Sequence, residues 1–203
     1  MYSNFENLDE EKRNRIIDAA IKELATKGYD DASTNNIVKE AGISKGILFH
    51  YFKSKKQLYL YLFDYFIDMM VREISARFNP DERDLIQRIR NIAELKLQLI
   101  RKHRYIIRFL EKAYFEDSEE LRGELEGRKH KLLEANMGKF FENIDTAKLK
   151  SEYDLGKILN IMTWTFEGLA NKHANEAEID FEKVFAEAEE YTGFFRKCFY
   201  QDA

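Results

Sequence analysis

Hydrophobic residues in this chain recur at intervals of three and four, which is the period of an amphipathic helix. The first such run predicts a helix over residues 9–27, with Asn7 as its N-cap, acids in its first turn and Gly28 at its end. The apolar face of this helix consists of Ile16, Ile17, Ala20, Ile21 and Leu24.

Two short helices are predicted next, over residues 34–41 and 45–51. Ser33 or Thr34 can cap the first and Ser44 can cap the second, because their hydroxyls can accept from free backbone amides of the first turn.

A long and very apolar helix is predicted from the capping box Ser54–Gln57 to about Asn79–Pro80. Five further helices are predicted over residues 84–102, 105–115, 118–144, 154–175 and 180–200. One proline and nine glycines are too few turn residues for a β-rich chain of 203 residues. The pattern therefore predicts an all-α protein with about nine helices.

Charge is unevenly distributed along the chain. The net charge is −4, but residues 33–57 contain five lysines and one acid, a local charge of +4, so the other residues sum to −8. The lysines are Lys39, Lys45, Lys53, Lys55 and Lys56. A basic patch on an acidic body is typical of a protein that contacts nucleic acid with one end only.

Several classes of protein are not expected. Cys198 is alone, so no intrachain disulfide can form, and a reducing cytoplasm is expected. No signal peptide or apolar stretch of about 18 residues is found, so no membrane span is expected. Phosphate loops, nucleophile elbows and zinc-ligand spacings are absent from the sequence, which predicts no enzyme, no metal and no cofactor.

The two short helices meet at the sequence Ala41-Gly42-Ile43. Ala41 is small enough for the helices to approach closely, and Gly42 can adopt the backbone angles of a sharp turn. A small core is expected from Ile37, Val38, Ile43, Leu48 and Phe52 with Ile17, Ile21 and Leu24. This arrangement is typical of a helix-turn-helix, whose second helix enters the DNA major groove. The alternative is an ordinary corner between two helices of a bundle.

The outer face of the second helix would carry the DNA contacts. Lys45 can reach a guanine edge or a phosphate, and Gly46 permits a close approach. Ile47 and Phe49 can pack against a thymine methyl. Phosphate contacts suit Thr34, Ser44, Tyr51 and Lys55. His50 lies on the same face, or only faces solvent.

Over about 45 residues without a gap, the chain resembles the N-terminal domain of the TetR (tetracycline-repressor) family. The matching segments are Ile16-Ile17, Ala19-Ala20, Leu24, Gly28-Tyr29, Ala32-Ser33-Thr34, Ile37-Val38, Ala41 to Lys55, and Leu58. By position, the resemblance implies base-facing roles for Lys45, Gly46, Ile47 and Phe49. It implies backbone contacts for Thr34, Tyr51 and Lys55. Position 49 is often tyrosine in the family, so the hydrogen bond of that hydroxyl to phosphate is lost here.

The resemblance implies a DNA-binding domain over residues 1–54 and an effector-binding and dimerisation domain over residues 55–203. The family usually dimerises through its last two helices, and two apolar helices occupy that place. The predicted interface contains Met162, Phe166, Leu169, Phe181, Phe185, Tyr191 and Phe195. The alternative is that both apolar stripes are core within one chain.

A pocket between the middle helices is expected to hold a small apolar or aromatic effector, since binding pockets are mostly apolar with a few polar anchors. Candidate lining residues are Phe66, Met70, His103, Phe109, Tyr114, Met137, Asn160 and Trp164. Each of these can also be plain core.

The sequence therefore favours a homodimeric DNA-binding regulator, in which a small effector releases a repressor from a palindromic operator. An activator and a ligand-independent DNA-binding protein of the same fold remain open. A helical protein-interaction scaffold without DNA binding is the alternative from another class.

Overall fold

The computed structural model describes residues 2–173 and 180–201. Within these ranges the chain forms ten α-helices and one short 3-10 helix, with no β-strand, which confirms the all-α prediction. The helices are α1 Ser3–Glu6, α2 Glu10–Asp31, α3 Thr34–Ala41, α4 Lys45–Phe52, α5 Lys55–Arg77, α6 Leu85–Lys102, α7 Arg104–Tyr114, α8 Arg122–Phe141, α9 Leu155–His173 and α10 Phe181–Phe199; the 3-10 helix is Thr146–Lys148.

The beginnings of the helices follow the predicted caps with two corrections, at α2 and at α3, where the Ser33 hydroxyl makes no capping bond. The carboxylate of Asp9, and not Asn7, caps α2, because its oxygens accept from the backbone amides of Glu11 and Lys12. Asn7 ends the short helix α1, which the periodicity did not predict. The predicted cap at Ser44 is confirmed by its bond from the Ile47 amide.

Gly28 interrupts α2 instead of ending it. Its φ is 79° and its ψ −175°, which an L residue with a side chain adopts only under strain. The chain resumes helical geometry for the next three residues, up to Asp31.

One compact unit, which we call unit 1, contains the residues up to 73 together with residues 100–132. In it, α2 packs against both α3 and α7. Leu24, Ile37, Leu48 and Phe52 are almost completely buried in one core, and Val38 and Ile43 pack against it as half-buried residues. The small core predicted for the helix-turn-helix is therefore confirmed.

A second compact unit, unit 2, contains residues 74–99 and the described residues from 133 onward. Its core is formed by Leu85, Ile86, Ile144, Leu149, Ile158, Leu159, Met162, Phe195 and Tyr200. Arg88 is buried beside this core, and its guanidinium lies 5.5 Å from the centre of the Phe78 ring. The guanidinium donates to the backbone carbonyls of Pro80, Glu82, Phe140 and Glu142. Arg88 therefore satisfies carbonyls at the end of α8 that have no partner within the helix.

This division by contacts differs from the boundary at residues 54 and 55 that the sequence suggests. The suggested boundary separates two functions and not two cores, so it stays a prediction. Among the described residues, no helix is both long enough and apolar enough to cross a membrane.

Two glycine substitutions are expected to change stability in opposite directions. Gly42 ends α3 with φ 65° and ψ 38°, and a Cβ there would meet no atom within 4 Å. Gly42→Ala should therefore lower the free energy of unfolding by about 1–2 kcal/mol through backbone strain alone. Gly127→Ala, in the interior of α8 with equally open space, should raise it by about 0.5–1 kcal/mol.

Urea unfolding followed by circular dichroism measures both values. Since the two variants add the same methyl group, a change of the same sign in both would contradict the left-handed turn at Gly42.

Candidate DNA-binding surface

The turn between α3 and α4 is held by backbone hydrogen bonds. With Gly42 in the left-handed conformation, the Ile43 amide donates to the Val38 carbonyl at 3.0 Å and the Gly42 amide to the Lys39 carbonyl at 3.4 Å. These bonds satisfy two carbonyls at the end of α3. The half-buried Ile43 side chain packs on the core of unit 1, and this contact holds the turn against the core.

Helix α4 has one buried and one open face. Leu48 and Phe52 are each 1% exposed and attach the helix to the core. The remaining positions hold the predicted contact residues: the exposed ones are Ser44 and Lys45 at the start of the helix and Gly46 and His50 opposite the buried face, and the half-buried ones are Ile47, Phe49 and Tyr51. The structure therefore brings these seven residues together on two turns of helix.

Lys45 and Phe49 form a pair on this face. The Lys45 Nζ lies 5.9 Å from the centre of the Phe49 ring, one helical turn away. Lys45 has no ion pair or hydrogen bond among the described residues, so its ammonium is free to meet an acceptor outside the protein. The pair places a donor and an apolar surface side by side.

The beginning of α3 depends on Glu23, which the sequence did not single out. Its carboxylate accepts from the Ser33 amide at 3.0 Å and from the Asn36 side-chain amide at 3.2 Å. The Ser33 hydroxyl makes no capping bond, and the start of the helix is instead held to α2 by the two bonds to Glu23. Thr34, the first residue of α3, is half-buried beside this junction.

Lys55 is engaged within the protein. Its Nζ donates to the carbonyls of Tyr29, Asp30 and Ala32 at 2.7, 3.1 and 3.3 Å, and it lies 4.6 Å from the centre of the Tyr29 ring. An ammonium has three donors, and three acceptors are present here. Lys55 thus ties the first turn of α5 to the junction between α2 and α3, and its phosphate contact stays a prediction.

The basic patch is smaller in the structure than its lysine count suggests. Besides Lys55, Lys56 lies 3.9 Å from the Glu124 carboxylate. Lys39, Lys45 and Lys53 are exposed and have no acidic partner among the described residues. The nearby Lys22 is paired with Glu40 at 2.5 Å, and the hydrogen bond to this carboxylate raises the pKa of Lys22.

An N-terminal arm, residues 2–8, packs beside the last turn of α4. Phe5 is completely buried and contacts the rings of Tyr51 and Phe52, and Tyr2 contacts Phe52 and Tyr61. Burial, followed by the charge of Glu6, raises the pKa of Tyr61 to about 12, so this ring stays neutral near pH 7. The spacing of Tyr2, Phe5 and Leu8 by three residues was the available signal for the arm.

The predicted pocket residues are spread over both units. In unit 1, Phe66 and Phe109 are buried against each other with ring centres 6.1 Å apart, Met70 and His103 are half-buried, and Tyr114 is 39% exposed. In unit 2, Asn160 and Trp164 are exposed, and the side chain of Met137 lies outside the described residues.

A groove of about 800 Å³ on unit 1 contains none of the predicted pocket residues. It is strongly charged, and its lining residues are Lys56, Asp64, Glu119, Glu120, Gly123, Glu124, Gly127, Arg128 and Lys131. Arg128 donates to Asp64 at 3.0 Å and to Glu124 at 2.7 Å, so much of this charge is neutralised. The groove is unlike an apolar effector pocket.

The residues predicted for a dimer interface differ in exposure. Met162, Leu169 and Phe195 are buried in unit 2. Phe166, Phe181 and Phe185 are half-buried, and Tyr191 is 40% exposed. The large apolar residues that α9 and α10 expose most are Ile161, Trp164, Tyr191 and Phe194. The most exposed apolar positions of these two helices therefore differ in part from the predicted set, and the interface stays a prediction.

The all-helical fold, the left-handed turn at Gly42 and the open face of α4 define the helix-turn-helix class. Residues 16–62 match the family model described as bacterial regulatory proteins, tetR family. This part of the chain is a helix-turn-helix segment of the TetR family.

Two curated relatives from Bacillus subtilis (strain 168) match the N-terminal part. The uncharacterized HTH-type transcriptional regulator YuxN is 45% identical over 58 residues, which cover 29% of this chain and 20% of the relative. The fatty acid metabolism regulator protein is 33% identical over 76 residues, which cover 36% of this chain and 39% of the relative. The matches thus span less than half of either relative.

The whole chain resembles solved structures of the family. The structure of SmeT, described as the repressor of the Stenotrophomonas maltophilia multidrug efflux pump SmeDEF, aligns with a TM-score of 0.73 at 14% identity, covering 96% of this chain and 94% of that one. At this identity the likeness establishes the fold. Since the family model and the relatives describe regulators, the prediction that the chain is not an enzyme is confirmed.

Removing the Lys55 ammonium is expected to destabilise the fold. Lys55→Met keeps the alkyl stem but leaves three carbonyls without their donor, and should lower the free energy of unfolding by about 1–3 kcal/mol. Lys53→Met is the matched control, because Lys53 is exposed and has no hydrogen-bond or ion-pair partner among the described residues, and it should change stability by less than about 0.5 kcal/mol. Equal stability of the two variants in urea would contradict a structural role of Lys55.

Proposed function

We propose that this chain is a sequence-specific, homodimeric, cytoplasmic transcriptional repressor that a small apolar or aromatic effector releases from a palindromic operator. The observation that carries the proposal is the open face of α4, which groups a free lysine, a glycine and two apolar side chains on a helix of eight residues. Such a face matches the chemistry of a major groove, which offers guanine acceptors and thymine methyl groups.

The proposed division of labour follows from position and exposure. Lys45 donates to a guanine edge or phosphate, Gly46 allows close approach, and Ile47 and Phe49 contact thymine methyl groups. Thr34, Ser44 and Tyr51, at the ends of α3 and α4, contact phosphates. The free lysines Lys39 and Lys53 add attraction that is independent of sequence.

The dimer is supported by the apolar patch on α9 and α10, formed by Ile161, Trp164, Tyr191 and Phe194. Trp164 and Phe194 are 65% and 60% exposed, and large exposed aromatic side chains on neighbouring helices are typical of a surface that another protein covers. We therefore assign Trp164 to the interface, where the sequence had placed it in the pocket. Two copies would present two α4 helices to a palindromic site.

The effector is supported by His103, a candidate anchor in unit 1. Its Nε2 is buried and has no hydrogen-bond partner within the described part of the chain. Burial, and then the charge of Lys102, lower the pKa of His103, so the ring is neutral near pH 7 and can bond a polar group of an otherwise apolar molecule. Repression follows the function named for SmeT; an activator of the same fold is the second candidate.

Selection of short DNA fragments tests the function. The wild type should enrich a palindromic site, and Lys45→Ala should blur the sequence preference at one position of each half-site and weaken binding by about tenfold or more. Lys157→Ala is the control, because this exposed lysine on α9 is far from α4 in the chain and should leave the selected site unchanged.

Folded wild-type protein that enriches no site at low salt would contradict the regulator and favour the interaction scaffold. Enrichment of a single, non-repeated half-site would keep DNA binding and contradict the dimeric repressor.

The association state tests the interface. Trp164→Glu and Phe194→Glu each bury a charge if the patch is covered, so each should weaken dimerisation by about thirtyfold or more in sedimentation experiments. Tyr105→Glu, at a tyrosine of α7 that is 51% exposed, should leave dimerisation unchanged. A wild type that sediments as a monomer at micromolar concentration would contradict the patch as an interface.

A further inference from the structure

The N-terminal arm is built into the end of the helix that faces DNA. Phe5 is 0% exposed, and its ring centre lies 4.6 Å from that of Phe52 and 5.5 Å from that of Tyr51, the last two residues of α4. The Phe5 and Tyr51 rings meet at an angle of 61°, close to edge-to-face. A residue five positions from the start of the chain thus supports a ring of the DNA-facing surface.

The arm is itself held in place at both ends. The Tyr2 hydroxyl donates to the Gln57 side-chain carbonyl at 2.7 Å, and the Arg13 guanidinium donates to the Glu6 carbonyl at 3.0 Å. Tyr2 also meets the Tyr61 ring at 4.8 Å. These bonds tie the arm to α2 and α5, so Phe5 has a defined position under α4.

The direction of the Tyr51 hydroxyl follows from the position of its ring. The hydroxyl oxygen of a tyrosine lies on the long axis of its rigid ring, so neighbours that hold the ring in one χ1 position also fix where that oxygen lies. Phe5 contacts the Tyr51 ring at 5.5 Å and His50 contacts it at 5.4 Å. Since Phe5 is completely buried and His50 is exposed, Phe5 is the more firmly held of these two neighbours.

The arm does not carry the chemistry of a DNA contact. Residues 2–8 contain no lysine or arginine, and their one charged side chain is Glu6. The arm also precedes residue 16, where the match to the family model begins. Its effect on DNA binding would therefore pass through the residues that it contacts.

We propose that Phe5 is a positioning residue, which aims the Tyr51 hydroxyl at a phosphate of the operator. The proposal rests on the proposed function and adds a specific role for a segment outside the helix-turn-helix. Losing Phe5 would let the Tyr51 ring turn towards the vacated space, and the preformed phosphate contact would be lost although the hydroxyl is still present.

A double-mutant cycle tests the coupling of Phe5 to the Tyr51 hydroxyl. Binding to the operator selected by the wild type is measured for Phe5→Ala, Tyr51→Phe and the double variant. Tyr51→Phe removes a hydrogen bond to a charged acceptor and should raise Kd about tenfold, and Phe5→Ala should raise it nearly as much. In the Tyr51→Phe background, Phe5→Ala should have almost no further effect, because the hydroxyl that it positions is already gone.

Equal weakening by Phe5→Ala in both backgrounds would overturn the proposal, since support of α4 as a whole does not depend on the hydroxyl. No weakening in the wild-type background would also overturn it. Absence of any selected operator for the wild type would reject the proposed function first, and is therefore distinguishable from both results.

As a control, the folding of each variant is checked by circular dichroism and urea unfolding at the temperature of the binding assay. Phe5→Leu is the second variant, because it fills most of the buried volume without an aromatic edge and is expected to stay folded. It should reproduce the binding loss of Phe5→Ala in the same cycle. Full wild-type affinity of Phe5→Leu would overturn the role assigned to the aromatic ring.

Discussion

The burial of Leu48 and Phe52 is the contact on which the DNA-facing surface depends. Helix α4 has eight residues, and a helix of this length is not stable alone in water. Its stability comes from the buried face, where these side chains join the core of unit 1. Because successive residues of a helix are about 100° apart, fixing this face leaves Gly46 and His50 exposed on the opposite side, whereas Lys45 is exposed at the first turn of the helix.

The same core is reached by contacts from distant parts of the chain. Glu23 satisfies the start of α3, Lys55 satisfies carbonyls after α2, and Phe5 packs below the end of α4. Each of these contacts restricts the position of α3 or α4 relative to the rest of unit 1. Lys55 consequently has two possible effects on DNA binding, one direct and one through the fold, whereas Lys45 has no hydrogen-bond or ion-pair partner in the described protein and meets only the Phe49 ring.

The helix-turn-helix could be predicted closely from sequence because its signals are local. The bounds of α3 are those that the periodicity predicts, and α4 is one residue longer. The caps at Ser44 and Ser54 are found as expected, since they depend on residues three positions away. Glu23 and Lys55 are different. Their hydrogen-bond partners lie ten or more residues away, so no local sequence pattern predicts these contacts.

On α9 and α10 the hydrophobic pattern of the sequence does not predict which apolar residues are exposed. Ile161 and Met162 are adjacent and both apolar, as are Phe194 and Phe195. In each pair the first side chain is exposed and the second is buried. A helix that is apolar over more than half of its circumference contains two stripes, one for its own core and one for a partner, and both have the same period. Only the packing of unit 2, which takes Met162 and Phe195 into its core, decides which stripe is left exposed for the proposed interface.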